Sequence, residues 1–263
     1  MGTAILAGLL RSGIDSSLIS ASVNTKATAE KLTDEFGITV FDRETHTDAN
    51  RRAVESADVV LVAVKPAFVI ETLDEVSSAL KPDALVISVA AGITIDAMQG
   101  AVPASVAVIR SMPNTPAIVA RAVTGLAVGS RSTDEHLAIA KQLFETVGTV
   151  LVVEENMIDE LSTVSGSGPA YLFFFIEQFT KTAVEMGFSE TDARLMVEET
   201  FLGASMLLAA VDKTPEQLRR QVTSPNGTTM RAIQVFENAN LQELFTKATG
   251  AALARAKEIA KGN

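Results

Sequence analysis

The chain has 263 residues, of which 47% are apolar, and its 22 basic and 32 acidic side chains give a net charge of −10. This acidic balance argues against sequence-independent binding of nucleic acid or of an anionic membrane, because both need clustered Lys and Arg. Cysteine is absent and histidine occurs twice, which excludes thiol nucleophiles and metal sites built from several thiolates or imidazoles. We therefore expect no metal and no nucleic-acid partner.

The N-terminal part of the chain alternates short apolar strands with amphipathic helices from residue 17 to about 153. The clearest strand is the β-branched run at 59–64, which ends at Lys65-Pro66 and is followed by a helical pattern over 68–80. Strands separated by helices predict a doubly wound α/β sheet. Further strands are predicted over 18–21, 85–89, 106–109, 126–128 and 150–153, and further helices over 27–36 and 133–147.

The strand patterns stop after about residue 156, so we predict domains over 1–153 and 154–263, the second all-helical. Residues 171–176 (YLFFFI) are apolar on every side, which is typical of a helix buried centrally or against another subunit. This surplus of apolar surface favours an oligomer. The predicted helices span 169–186, 189–211, 215–222, 229–238 and 241–261.

No apolar run approaches the roughly 18 residues that a membrane-spanning helix needs. The first residues also lack the basic lead-in of a secretory signal. We therefore expect a cytoplasmic protein that does not contact a membrane.

Small residues and prolines follow the predicted strands at 65–66, 90–92 and 112–116. In an open α/β sheet, ligands bind at the carboxyl ends of the strands, where small residues let a flat cofactor approach the backbone. The alternative is that these are ordinary short turns.

Two hydroxyl- and glycine-rich segments, 165–169 (SGSGP) and 224–229 (SPNGTT), open predicted helices. Free backbone N–H groups and the helix dipole favour an anion at such a position, although simple helix capping would also use these residues. Two such segments in one domain suggest that they hold a small carboxylate.

The motifs RSMPNTP (110–116), SGSGPAY (165–171) and TSPNGTT (223–229) occur in the order and spacing of the bacterial pyrroline-5-carboxylate reductases, which this chain resembles over nearly its whole length. The resemblance implies a Rossmann-like sheet followed by an all-helical dimerisation domain. It also implies NAD(P)H-dependent reduction of a small imino acid, the cyclic imine 1-pyrroline-5-carboxylate, to L-proline in the last step of proline biosynthesis. Members of this family form homodimers, in many cases assembled into rings of dimers.

The sequence departs from the family pattern at its first residues. The family opens with a strand and a G-x-G-x-M-G-x-A loop, whereas this sequence begins at the Met of that pattern, with Met1, Gly2 and Ala4. A start site placed too late, or a truncated chain, is the simplest account. If the chain is truly this short, we expect an open slot in the sheet and weak cofactor binding. Adding about 10–15 residues upstream, enough for one strand and a turn, is then expected to recover NADPH binding.

The resemblance, carried over residue by residue, implies which residues bind the dinucleotide. The loop at 22–26 contains no Asp or Glu, which favours NADPH because an acid there would repel a 2′-phosphate. NADH is the alternative, since Asn24 stands where the family usually has Arg. The implied cofactor-binding residues are Gly2, Ser22, Asn24, Thr25, Asn50, Ala63, Val64, Lys65, Pro66, Ala90, Ala91, Gly92 and Asn114.

The resemblance likewise implies a substrate pocket between the cofactor and the helical domain, with Thr229 as the catalytic residue beside the imine nitrogen. A protonated imine already carries its charge, so its reduction needs positioning and a hydrogen bond more than a strong acid. The implied substrate-binding residues are Ser165, Gly166, Ser167, Gly168, Ser224, Gly227, Thr228 and Thr229.

Two other interpretations remain open on the sequence alone. A related dehydrogenase of hydroxy acids or sugar acids would need a Lys or His acid deep in the helical domain, for which Lys181 is the candidate. A catalytically silent dimerising protein would be consistent with the absent glycine loop.

Overall fold

A computed structural model describes residues 1–260 and divides the chain into two compact units. The first comprises Met1–Ser167 with the chain from Ala252 onward, and the second comprises Gly168–Ala251. The division falls after the boundary expected at residue 153, because the segment that follows this residue packs on the first unit through Ile158, which is 1% exposed. As a domain boundary, 153/154 stays a prediction.

The strands of the first unit form two sheets. In the smaller sheet, β1 pairs with β2 in parallel, and in the larger one β3, β4, β5, β6 and β7 lie side by side in that order. All neighbours are parallel except β5 and β6. The strands are β1 (Ser20–Val23), β2 (Thr39–Asp42), β3 (Val59–Val62), β4 (Leu85–Ser88), β5 (Ala107–Met112), β6 (Ala122–Val128) and β7 (Gly148–Val152).

The antiparallel pairing of β5 and β6 departs from the predicted alternation of strand and helix. The two strands are joined by a short segment whose only regular structure is the 3₁₀ turn Thr115–Val119. A parallel connection needs a crossover of a dozen residues or more, so this link reverses the chain. The strand predicted over 106–109 also continues to Met112, which places Arg110 inside the sheet.

The sheet is interrupted between β1 and β3. Within residues 1–260 no strand pairing joins the two, so each is the edge strand of its own sheet. The interruption of the sheet expected from the sequence is therefore present.

Helices cover both faces of the larger sheet, which confirms the doubly wound, Rossmann-like fold. Ile5 of α1 and Phe144 of α6 are fully buried on one face, and Leu73 of α4 and Met98 of α5 on the other. All four residues of β4 are buried, as in a parallel strand covered on both sides. The helices are α1 (Gly2–Arg11), α2 (Lys26–Phe36), α3 (Ala49–Val54), α4 (Val69–Val76), α5 (Ile95–Gly100), α6 (Asp134–Glu145) and α7 (Ile158–Leu161).

Glycine is required at the start of β7. Gly148 has φ +154°, and a Cβ there would collide with the backbone of Ala122. We expect Gly148→Ala to lower the free energy of unfolding by about 2–3 kcal/mol, measured by urea titration. Gly100→Ala is the matched control, because a Cβ at this helical position meets open space. Equal stability of the two variants would contradict the prediction.

The second unit is helical, as predicted. Large apolar side chains of its helices are exposed in the single chain, including Phe173 (65%), Phe174 (57%) and Met206 (63%). No helix within residues 1–260 is long and apolar enough to cross a membrane, and the predicted helix end at residue 261 lies outside the described residues. The helices are α8 (Gly168–Glu185), α9 (Glu190–Ala210), α10 (Pro215–Gln221), α11 (Thr228–Asn238) and α12 (Leu241–Ala260), the last of which ends in the first unit.

Candidate functional site

The start of α1 lies against the carboxyl end of β3. A Cβ placed on Gly2 would come within 3.1 Å of the Cβ of Ala63, so glycine allows this close approach. Val64 and Lys65 follow Ala63 in exposed positions, and Pro66 starts a 3₁₀ turn. The small, non-acidic residues gathered here fit the phosphates of a dinucleotide.

The loop after β4 presents one small side chain and buries another. Ala90 is 5% exposed, and its N–H donates to Ser88 Oγ (3.2 Å), whereas Ala91 is exposed. Gly92 has φ +76°, a conformation that glycine adopts without strain. The predicted cofactor loop therefore offers Ala91 and a turn at Gly92, while Ala90 packs into the core.

A buried arginine, which the sequence analysis missed, holds this loop to the segment after β7. Arg110 is 3% exposed; its guanidinium donates to Asp159 Oδ1 at 2.6 Å and to Glu155 Oε1 at 3.4 Å. Glu155 Oε1 also accepts the Ile95 N–H at 2.7 Å, at the start of α5. The same arginine thus fixes the end of the Ala90–Thr94 loop and the entry to α7.

The side-chain amide of Asn114 both donates and accepts a hydrogen bond. Its Nδ2 donates to the Ser165 carbonyl at 2.8 Å, and its Oδ1 accepts the Val123 N–H at 2.9 Å. Asn50, another predicted cofactor residue, donates from Nδ2 to Glu75 Oε2 at 2.8 Å. Asn114 thus holds the loop after β5, whereas Asn50 joins α3 to α4. The contact of both asparagines with a cofactor stays a prediction.

The loop after β1 contains the predicted residues Ser22, Asn24 and Thr25. Thr25 Oγ1 accepts the Thr28 N–H at 3.3 Å and so caps α2. A carboxylate reaches this loop from elsewhere in the sequence, because the N–H of Lys26 donates to Glu44 Oε2 at 2.9 Å. The loop at 22–26 itself contains no acidic residue, but the fold brings the carboxylate of Glu44 against it.

Asp42, at the end of β2, adds negative charge near Glu44. Burial raises the pKa of Asp42, but hydrogen bonds from the hydroxyl and the N–H of Thr45 outweigh it and hold the pKa below its ordinary value. This carboxylate is therefore ionised at neutral pH.

The segment 165–168 differs from the predicted helix N-terminus. The chain is already helical from α7 and passes through a π-helix, Ser162–Gly166, into α8, so the Ser167 N–H donates to the Ser162 carbonyl at 2.9 Å. The Ser165 hydroxyl donates to the Leu161 carbonyl at 3.1 Å. The expectation of free donors at a helix start is wrong here, because the helix begins earlier. Substrate binding by Ser165, Gly166, Ser167 and Gly168 stays a prediction.

The segment 224–229 does form an open helix start. Gly227 is the N-cap of α11 and provides no side-chain cap, so the first amides of α11, from Thr228 and Thr229, lack an intrahelical acceptor. Both threonines are exposed, the first turn contains no acidic residue, and Gly227 N–H donates to the Ser224 carbonyl at 3.0 Å in the preceding turn. Such an N-terminus suits a carboxylate.

Other features of the described residues do not mark a site. An open groove of about 960 Å³ runs along α1, and none of the predicted site residues lines it. Lys181 pairs with Glu177 at 2.6 Å on an exposed helix face, which does not suit a buried general acid. Within residues 1–260 there is no group of three or more metal-ligating side chains.

A Rossmann-like sheet with small residues at its carboxyl edge, continuing into a helical unit with an anion-suited helix start, defines the class of two-domain dinucleotide-dependent oxidoreductases. Residues 155–259 match the family model described as pyrroline-5-carboxylate reductase dimerisation, and residues 1–92 match that of the coenzyme F420-dependent NADP oxidoreductases.

Pyrroline-5-carboxylate reductases are also the relatives of the full chain. The enzyme of Corynebacterium melassecola is 34% identical over 99% of this chain and 96% of its own length, and that of Escherichia coli K12 is 32% identical over 99% and 95%. The structure of the Coxiella burnetii enzyme superposes with a TM-score of 0.91 at 34% identity, over 98% of this chain and 94% of that one. The chain belongs to the pyrroline-5-carboxylate reductase family.

Proposed function

We propose that this protein reduces 1-pyrroline-5-carboxylate to L-proline, using NADPH as the hydride source. The observation that carries the proposal is the 34% identity to a pyrroline-5-carboxylate reductase over nearly the full length of both chains. The open start of α11, which suits the carboxylate of an imino acid, supports the proposal independently.

The choice of NADPH is supported by the composition of the loop at 22–26, which has hydroxyl, amide and ammonium groups but no acid. A pyrroline carboxylate reductase of Plasmodium falciparum, whose structure has the same fold (22% identity, TM-score 0.82), has NADP bound. We assign the phosphates to the backbone at Gly2 and at the Ala63–Pro66 and Ala90–Gly92 loops, where small residues permit close approach.

The protein's own residues need to position the substrate and form hydrogen bonds to it, but they need not supply a strong acid. When bound, the reduced nicotinamide supplies a hydride to the imine carbon, and the protonated imine nitrogen becomes the neutral amine of proline. The amides at the start of α11 hold the substrate carboxylate, and the Thr229 hydroxyl hydrogen-bonds the nitrogen. Positioning of this kind accelerates the reaction without a strong acid.

We also propose that the active form is a homodimer or a ring of dimers. Phe173, Phe174 and Met206 are more than half exposed in the single chain, and large apolar surfaces of this kind mark interaction sites. The match to a dimerisation model over 155–259 supports the same proposal. A cytoplasmic location stays a prediction.

The proposal is tested by mixing the purified protein with NADPH and 1-pyrroline-5-carboxylate. We expect the near-ultraviolet absorbance of NADPH to fall as L-proline accumulates in equal amount, which chromatography measures. A hydroxy acid with NADP⁺ is the control substrate for the rival dehydrogenase class, and turnover of this control alone would overturn the proposal.

A further inference from the structure

We propose that Glu44 controls the preference between NADPH and NADH, by placing its carboxylate where the 2′-phosphate of NADPH would lie. The inference rests on the proposed function, because it concerns the adenosine end of the same dinucleotide site. It names a residue outside the loop on which this preference was predicted to depend.

The geometry brings Glu44 from the loop after β2 to the loop after β1. Its Oε2 accepts the N–H of Lys26 at 2.9 Å, at the first residue of α2 and directly after Thr25. The carboxylate thus occupies a backbone donor at the carboxyl end of β1, the edge at which α/β sheets bind nucleotides.

The neighbouring cations do not neutralise this carboxylate. The Lys26 ammonium faces Glu30 at 3.8 Å, and the Arg43 guanidinium faces Glu75 at 3.9 Å. Within residues 1–260 no Lys or Arg lies within ion-pair distance of Glu44. Its charge is therefore available to act on a ligand placed against Lys26.

The two dinucleotides would respond to this charge in opposite ways. The 2′-hydroxyl of NADH can donate a hydrogen bond to a carboxylate, whereas the doubly charged 2′-phosphate of NADPH competes with it for the same N–H and is repelled. NADPH would have to displace Glu44 from Lys26 before the phosphate could bind there. Glu44 accordingly lowers the NADPH preference that the hydroxyl and amide groups of the loop confer.

The test uses Glu44→Gln, which removes the charge but keeps an oxygen that can accept the Lys26 N–H. Calorimetry measures the dissociation constants of adenosine 2′,5′-bisphosphate and of AMP, which differ only in the 2′-phosphate, for the wild-type and variant proteins. We expect the variant to favour the bisphosphate by about tenfold more than the wild type does. The NADPH to NADH ratio of kcat/KM is expected to shift in the same direction.

Glu30→Gln is the matched control, because it removes an equal charge that faces the Lys26 ammonium rather than the Lys26 N–H. We expect it to change the ratio by less than about twofold. An unchanged ratio in Glu44→Gln, an equal shift in both variants, or no binding of either nucleotide would each overturn the inference. Failure of the proposed function has a different signature, since the wild type would then bind nucleotide without reducing the imine.

Discussion

Replacing Thr229 with alanine is expected to lower kcat for imine reduction about a hundredfold. Thr229 lies in the first turn of α11 with an exposed side chain, in the position proposed for the hydrogen bond to the imine nitrogen. The Thr229 hydroxyl oxygen would accept the N–H of the protonated imine, and loss of one well-placed hydrogen bond to the reacting group typically costs about two to three orders of magnitude in kcat. The backbone amides that hold the carboxylate remain, so KM for the imine is expected to change little, and steady-state kinetics separates the two parameters.

Two further variants give this prediction its controls. Thr229→Ser keeps a hydroxyl and is expected to recover most of the activity, whereas Thr246→Ala removes a hydroxyl that donates to its own helix at the Gln242 carbonyl and should leave kcat unchanged. Wild-type turnover in Thr229→Ala would remove this residue from its assigned role. A parallel loss of NADPH binding would show damage to the fold instead.

The second large effect is expected at Arg110, where methionine in place of arginine should lower the free energy of unfolding by about 3 kcal/mol. The side chain is 3% exposed, and its removal leaves Glu155 and Asp159 without their cation in partly buried positions. Breaking a buried ion pair by removing one partner is strongly destabilising, because the remaining charge is uncompensated. Urea unfolding followed by circular dichroism measures the change.

Arg52→Met is the comparison for an exposed ion pair. Arg52 pairs with Asp48 at 2.9 Å, but both side chains are close to half exposed, so the expected loss is below about 0.5 kcal/mol. If Arg110→Met unfolded at the same urea concentration as Arg52→Met, the buried network around Arg110 would not contribute as described.

The sequence predicted most of the architecture, because strong hydrophobic patterns extend over whole elements. The run at 59–64 and the long helices α8 and α9 lie where their periodicity places them, within a few residues. The pattern failed for β2, in which only Val40 and Phe41 are apolar. It also failed for β6, because strand direction depends on the connection rather than on the strand's own residues.

The candidate site was predictable only where it depends on local chemistry. The free start of α11 follows from Gly227 and the threonines after it, which are adjacent in sequence. Glu44 and Lys26 are eighteen residues apart, and Arg110 and Asp159 forty-nine, so their contacts arise from the fold. At 165–168 the local pattern misled, since Ser-Gly-rich residues resemble a helix start but lie inside a helical path that begins at Ile158.

The division of the sheet has a consequence for how tightly a nucleotide is held. β1, α2 and β2 lack any ladder to β3, so they are joined to the rest of the unit through packing and contacts such as the Ser20 hydroxyl with the Ala53 carbonyl, at 2.7 Å. A segment with so few backbone anchors opens at a lower free energy than the global unfolding. Because this segment and the loop after it contain Thr25, Lys26 and Glu44, every nucleotide affinity measured at the adenosine end includes the cost of keeping the segment closed.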